Sequence, residues 1–150
     1  MARKTAKTKA RRYTDKERLA RFRRHLDPWA SFMGLSQTWH IEVAMIDDGN
    51  EGNWAKVTMT YQYPKAIIQV NRKGIDSMVD YEVEAAAVHE LLHILSNNAI
   101  GELWGQFVEH SPMRQSFENG METLVDSIAR IMVCLHNDKF LGPRYVGGGK

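Results

Sequence analysis

A single cysteine, Cys134, stands in this chain of 150 residues, so an internal disulfide and a four-cysteine zinc site are both out of reach. Stability must then come from packing, a reducing compartment is expected, and any metal has to be held by histidine or carboxylate. No uncharged apolar run approaches the roughly 18 residues of a membrane-spanning helix, and the basic start is not followed by the apolar stretch of a secretory signal. A soluble, cytoplasmic protein is the expectation. Four prolines and eleven glycines form no internal repeat and no low-complexity tract. The chain also lacks G-x-S-x-G, a Walker loop and G-x-G-x-x-G, which removes the usual signatures of a serine hydrolase, a phosphate-binding loop and a dinucleotide fold. What is present, 43% hydrophobic and 25% charged residues in 17.2 kDa, suits one ordinary globular domain.

Acid is scarce only at the start. Residues 1–24 hold eleven Lys or Arg against Asp15 and Glu17, a balance of +9, whereas residues 25–150 balance to −7. Residues 1–12 contain Arg3, Lys4, Lys7, Lys9, Arg11 and Arg12, no acid, and nothing aliphatic larger than alanine after Met1. They cannot bury enough apolar surface to offset the entropy of ordering. A disordered basic arm is expected there, either contacting DNA or RNA phosphates or serving as a solvated tail. A single domain over 13–141 and a flexible Gly-rich tail over 142–150 complete the organisation.

Thr14 and Glu17 have capping-box spacing, which predicts a helix over residues 15–26 that Pro28 ends or offsets. Leu19, Phe22 and Leu26 give it one apolar stripe, and Arg18, Arg21, Arg23 and Arg24 leave the rest basic. From Thr38 the period becomes two: Trp39, Ile41, Val43 and Met45 alternate with polar or small residues, a turn-rich stretch over 47–53 follows, and Val57, Met59, Tyr61 and Tyr63 alternate again. A hairpin of these two segments, with 65–71 as a third strand, makes a sheet wet on one face. His25 and His40 are expected at the surface, Cys134 as a small core residue, and the four tryptophans as packing anchors or a cleft wall. Helical periodicity marks 81–97 and 115–136, the latter with Met121, Leu124, Val125, Ile128, Ile131, Met132 and Leu135 as its buried face. The expected class is a small α+β domain.

The first of these helices contains His89-Glu90-Leu91-Leu92-His93. Histidines four apart stand one turn above each other, so both imidazoles can reach one ion, and Glu90 can approach a water on that ion without ligating it. Neutral imidazole suits Zn²⁺, which in catalytic sites has three protein ligands and lowers the pKa of its water to about 7. Two histidines do not complete such a set. On the later helix Glu122 and Asp126, four apart, share a stripe at the edge of the apolar face; Glu122 as third ligand would leave Asp126 to accept a hydrogen bond from a ligand histidine. Glu118, one turn earlier, is the competing ligand.

His89 to His93 followed by Glu122-x-x-x-Asp126 on a later helix resembles the gluzincin zinc metallopeptidases. The order of sheet, HExxH helix and glutamate helix over residues 38–136 is similar to minimal gluzincin cores and to small metallopeptidases of phage and prophage genomes. The resemblance implies a zincin-like fold, one Zn²⁺ on His89, His93 and Glu122, Glu90 as general base and acid, Asp126 behind a ligand, and a peptide or protein substrate bound by strand addition. His110, Tyr61 and Tyr145 are the candidates for stabilising an oxyanion. Position 96 is Ser and 99 is Ala, so the third histidine of the metzincins is missing. The alternative is a nucleic-acid-associated protein whose metal site is structural or vestigial, or a SprT-like protease acting on DNA-bound proteins. For the arm as a phosphate-binding element, the expected result is duplex-DNA affinity that falls steeply between about 50 and 200 mM salt and drops when residues 1–12 are deleted. Affinity indifferent to both changes removes that role.

Overall fold

The computed structural model describes residues 13–47, 54–60, 62–104 and 111–137, and for 98–104 the backbone alone. The chain is α+β: α1 (Asp15–Phe32), α2 (Leu35–Thr38), β1 (His40–Ile46), β2 (Ala55–Thr60), β3 (Lys65–Asn71), α3 (Arg72–Ser77), α4 (Asp80–Trp104) and α5 (Pro112–His136). No helix among the described residues is long and apolar enough to cross a membrane.

The capping box of α1 is made: the Glu17 N–H donates to Thr14 Oγ1 at 3.3 Å, and the Thr14 N–H donates to the Glu17 carboxylate at 2.8 Å. Pro28 does not end the helix, which continues to Phe32. Proline removes one hydrogen bond to the preceding turn, but the next turn buries Trp29 and Ala30 and brings the Trp29 indole N–H to Glu84 at 2.9 Å. Tertiary packing outweighs the local defect. Gly34 then takes φ +72°, the left-handed region that favours glycine, and turns the chain into α2.

The expected basic surface of α1 is largely matched by acid. Arg18 pairs with Asp15 and Asp76, Arg21 and Arg24 with Asp80, and Arg23 with Asp27. Arg21 also donates to the carbonyls of Ile75 and Met78. Arg72 closes the set, pairing with Asp15 and Asp47. These contacts tie α1 to the corner between α3 and α4.

Three strands form one sheet, but in the order β1-β3-β2, so the expected hairpin of the first two strands is not formed. β1 runs parallel to β3, from His40 opposite Lys65 to Ile46 opposite Asn71. β2 runs antiparallel to β3, from Ala55 opposite Val70 to Thr60 opposite Lys65. The reason lies in burial. Ala66, Ile68 and Val70 of β3 are at most 1% exposed, and the most apolar strand takes the centre, where both its edges are paired. The alternating, half-exposed β2 takes an edge. Of the expected turn over 47–53, only Asp47 lies within the described residues.

α4 is the spine of the domain, with Val83, Ala87, Val88, Leu91 and Ile94 fully buried among α1, the sheet and α5. The face that α5 turns inward is not the one periodicity suggests. Val125, Ala129 and Val133 are buried and Met121 and Met132 partly so, whereas Leu124, Ile128, Ile131 and Leu135 are exposed. The apolar arc of α5 is wider than its contact, and the residues buried on it are the smaller ones, Val125, Ala129 and Val133.

His25 is not a surface residue either: its side chain is 17% exposed, 4.0 Å from Glu84, and burial pushes its imidazole below the ordinary histidine pKa. His40 is exposed and bound to Glu42. Cys134 is half-buried, its Sγ 3.4 Å from the Tyr81 hydroxyl. Glu84 of α4 joins three helices, accepting hydrogen bonds from Trp29 of α1, His136 of α5 and Asn137 just beyond. Burial alone would raise the Glu84 pKa, but the hydrogen bonds from Asn137 and Trp29 outweigh it and hold the carboxyl below the ordinary value of 4.5. A carboxyl that binds its proton less readily folded than unfolded stabilises the fold above that value and loses this contribution as pH falls through it. The wild-type chain should therefore exceed Glu84→Gln in urea midpoint near neutral pH, with the gap closing below about pH 4.5; a gap that does not change with pH overturns this assignment.

Candidate metal centre

His89 and His93 emerge where the buried face of α4 meets the solvent boundary, with side chains 21% and 20% exposed. Their spacing of one turn brings the rings edge to face, with centroids 4.7 Å apart and the two Nε2 atoms 3.0 Å apart. α5 supplies Glu122 opposite them, one carboxylate oxygen 3.4 Å from His89 Nε2 and the other 3.3 Å from His93 Nε2. One ligand atom from each of the three lies within 4.8 Å of the others, the only such group found among the described residues.

The chemistry of this donor set fits a cation. Burial, and then the neighbouring His93, push the His89 pKa below the ordinary histidine value, with Glu122 and Asp126 acting in the opposite direction. His89 is thus held in the neutral form that ligates metal. Two facing Nε2 atoms can share at most one proton when both rings are neutral, so a nitrogen lone pair and the Glu122 carboxylate converge without enough donors. Two imidazole nitrogens and one carboxylate are the donors of a His₂Glu zinc site.

Glu90 points into the protein from the same turn and is 4% exposed. Burial first, and the Glu122 carboxylate second, raise its pKa to about 8, while a hydrogen bond from the Val57 N–H acts to lower it. That bond ties the HExxH turn to β2. Together they wall a cavity of about 410 Å³ lined by Val57, Met59, His89, Glu90, His93 and Glu122. A second cavity of about 230 Å³, also lined by His89, Glu90 and Glu122, reaches Trp54, Asp126 and Arg130.

The two competing glutamates are separated by this geometry. Glu118 lines the larger cavity, but it accepts from Arg114 at 2.9 Å and stands outside the three-residue cluster. Asp126 is near its expected place, yet its carboxylate is 4.0 Å from His89 Nδ1, beyond hydrogen-bond range, and accepts instead from Arg130 at 2.8 Å. His110, Tyr61 and Tyr145 lie outside the described residues, as do Arg3, Lys4, Lys7, Lys9, Arg11 and Arg12. Trp54 lines the cleft, one of the two places expected for the tryptophans, but the wall that Val57 and Met59 of β2 form was not anticipated from sequence. No local signal could have found it, because which strand faces α4 depends on the order of the sheet.

Compared with models of known families, with curated proteins and with solved structures, the chain matches none. The site therefore rests on its own geometry. Zinc titration against a competing chelator should give one equivalent per chain, with affinity reduced at least about 100-fold by His93→Ala or Glu122→Ala, a larger loss than outer-shell changes usually cause. Glu118→Ala should bind within a few-fold of wild type, by the same comparison. Loss of zinc in Glu118→Ala with retention in Glu122→Ala overturns the ligand set.

Proposed function

We propose that this chain is a zinc-dependent metallopeptidase of gluzincin type, acting on peptides or proteins. The observation that carries the proposal is the convergence of His89, His93 and Glu122 beside buried Glu90, in a cleft whose opposite wall is a strand. When bound, zinc supplies Lewis acidity toward the scissile carbonyl and a water of lowered pKa. His89 and His93 would hold it through imidazole nitrogens and Glu122 through a carboxylate oxygen.

Glu90 is the proton carrier. Its surroundings favour the protonated carboxyl; with a divalent cation held by the neighbouring cluster, Glu90 would be favoured as carboxylate. In that form it accepts a proton from the attacking water and returns it to the departing amine. The bond from Val57 keeps the carboxyl directed into the cleft.

β2 accounts for the choice of an extended substrate. It pairs with β3 along one edge, and its Val57 N–H, donated to Glu90, marks the other edge as turned toward the site. A peptide laid along that edge exchanges main-chain hydrogen bonds with the strand and brings one carbonyl beside the cluster. A reducing compartment such as the cytoplasm suits the single cysteine.

Glu90→Gln keeps the shape of the side chain and removes its basicity. On a fluorescently labelled, denatured protein substrate, its turnover should fall by at least about 10²-fold, with zinc content equal to wild type. An active Glu90→Gln chain overturns the mechanism, and a wild-type chain that binds zinc but cleaves neither this substrate nor a random peptide library overturns the peptidase assignment.

A further inference from the structure

One polar atom of His89 is left unmatched. Its Nε2 faces His93 Nε2 at 3.0 Å and the Glu122 carboxylate at 3.4 Å, so Nε2 is the nitrogen turned to the cluster and Nδ1 carries the ring proton. A metal-ligating imidazole donates its second N–H to a carboxylate, a carbonyl or water, which fixes the tautomer and makes the ring a stronger ligand. The Nδ1–H of His89 makes no hydrogen bond among the described residues, and the carboxylate that faces it, Asp126 Oδ1, stands 4.0 Å away.

Arg130 accounts for the gap. It follows Asp126 by one turn of α5, and its Nε donates to Asp126 Oδ2 at 2.8 Å. Acid four residues before base is the favourable order for such a pair on a helix. One oxygen of Asp126 is thus committed along α5 while the other is aimed across to α4 and falls short. Bringing Oδ1 to hydrogen-bond length requires a movement of about 1 Å, which the bond to Arg130 resists. Asp126 and Arg130 are both half-exposed, so the carboxylate has room to make it.

No other carboxylate of that cavity serves Nδ1 instead. His89, Asp126 and Arg130 all line the space of about 230 Å³, together with Glu82, Glu90 and Glu122. Glu122 is turned to the Nε2 atoms, Glu90 accepts from the Val57 N–H, and Glu82 accepts from the Val79 N–H at the start of α4. Asp126 is the group placed to reach Nδ1, and Arg130 is the group that holds it.

We propose that Asp126 is an acceptor contested between Arg130 and His89, so that Arg130 sets the affinity of the cluster for its cation. This inference rests on the zinc site proposed above but not on peptidase activity. Arg130 is a positioning residue: its side chain bonds Asp126 and acts on His89 through that carboxylate. The coupling is reciprocal, so a cation that strengthens the bond from His89 to Asp126 loosens Arg130 by the same factor. Charge repulsion between the guanidinium and the cation is the rival account, and it does not need Asp126.

Zinc affinity from chelator competition, measured on full-length chains of wild-type circular dichroism, separates the two in a double-mutant cycle. Arg130→Gln should bind zinc about two- to fivefold more tightly than wild type, the range an exposed ion pair is worth. Arg130→Lys, which keeps the charge and can keep the pair, should match wild type. Asp126→Asn should bind about tenfold more weakly, and adding Arg130→Gln to it should change nothing further. An equal gain from Arg130→Gln in both backgrounds is the signature of charge alone and overturns the contested acceptor. So does an Arg130→Gln chain that binds no more tightly than wild type. A wild-type chain that binds no zinc overturns the metal site itself, and this inference with it.

Discussion

Almost every feature of this molecule follows from the way α4 is held. The helix is covered by α1 on one side, by the sheet on another and by α5 on a third, so that over its described side chains only a seam meets solvent. His89 and His93 lie in that seam, about one-fifth exposed, and burial lowers the pKa of His89. Glu90, one residue on from His89, is rotated into the protein. Three neighbouring titratable side chains thus differ in environment because the period of a helix carries nearby residues through different amounts of water. The arrangement needs no loop: every group of the cluster is carried by one of two packed helices.

The cleft gathers carboxylates. Glu90, Glu118 and Glu122 border one cavity, with Lys56 also on its wall, and the arginines of α5, Arg114 and Arg130, are taken by Glu118 and Asp126. Burial first, and the Glu122 carboxylate second, raise the Glu90 pKa. By drawing Asp126 away from His89, Arg130 leaves the Nδ1 side of that imidazole without the carboxylate acceptor that the sequence pattern suggested.

Local chemistry was well written in the sequence, and long-range chemistry was not. The capping residues Thr14 and Glu17, the strand 65–71 and the helices carrying His89 and Glu122 could be read directly, because each signal lies within one or two turns or one strand. The sheet order could not, since alternation in residues 39–45 and 57–63 is the same whether those strands pair with each other or with a third between them. Pro28 misled for a related reason: its local effect is to stop a helix, and only the burial of Trp29 against Glu84, 55 residues away in sequence, shows why it does not. On α5 the large aliphatic residues dominated the periodic pattern, while the side that packs is marked by Ala129 and two valines. For the metal cluster, pattern alone left Glu118 and Glu122 as rivals; the position of α5 on α4 separates them.

The acids that meet the arginines of α1 also change what those arginines can offer. A phosphate approaching Arg18, Arg21 or Arg24 finds a carboxylate already in place, from Asp15, Asp76 or Asp80. Binding there is an exchange of one anion for another, and it would loosen the ties between α1 and the start of α4 in the same act. The thermodynamic count of phosphates neutralised is therefore smaller than the eleven cations of residues 1–24 suggest. The helix itself is better regarded as a neutral strut dressed in basic residues.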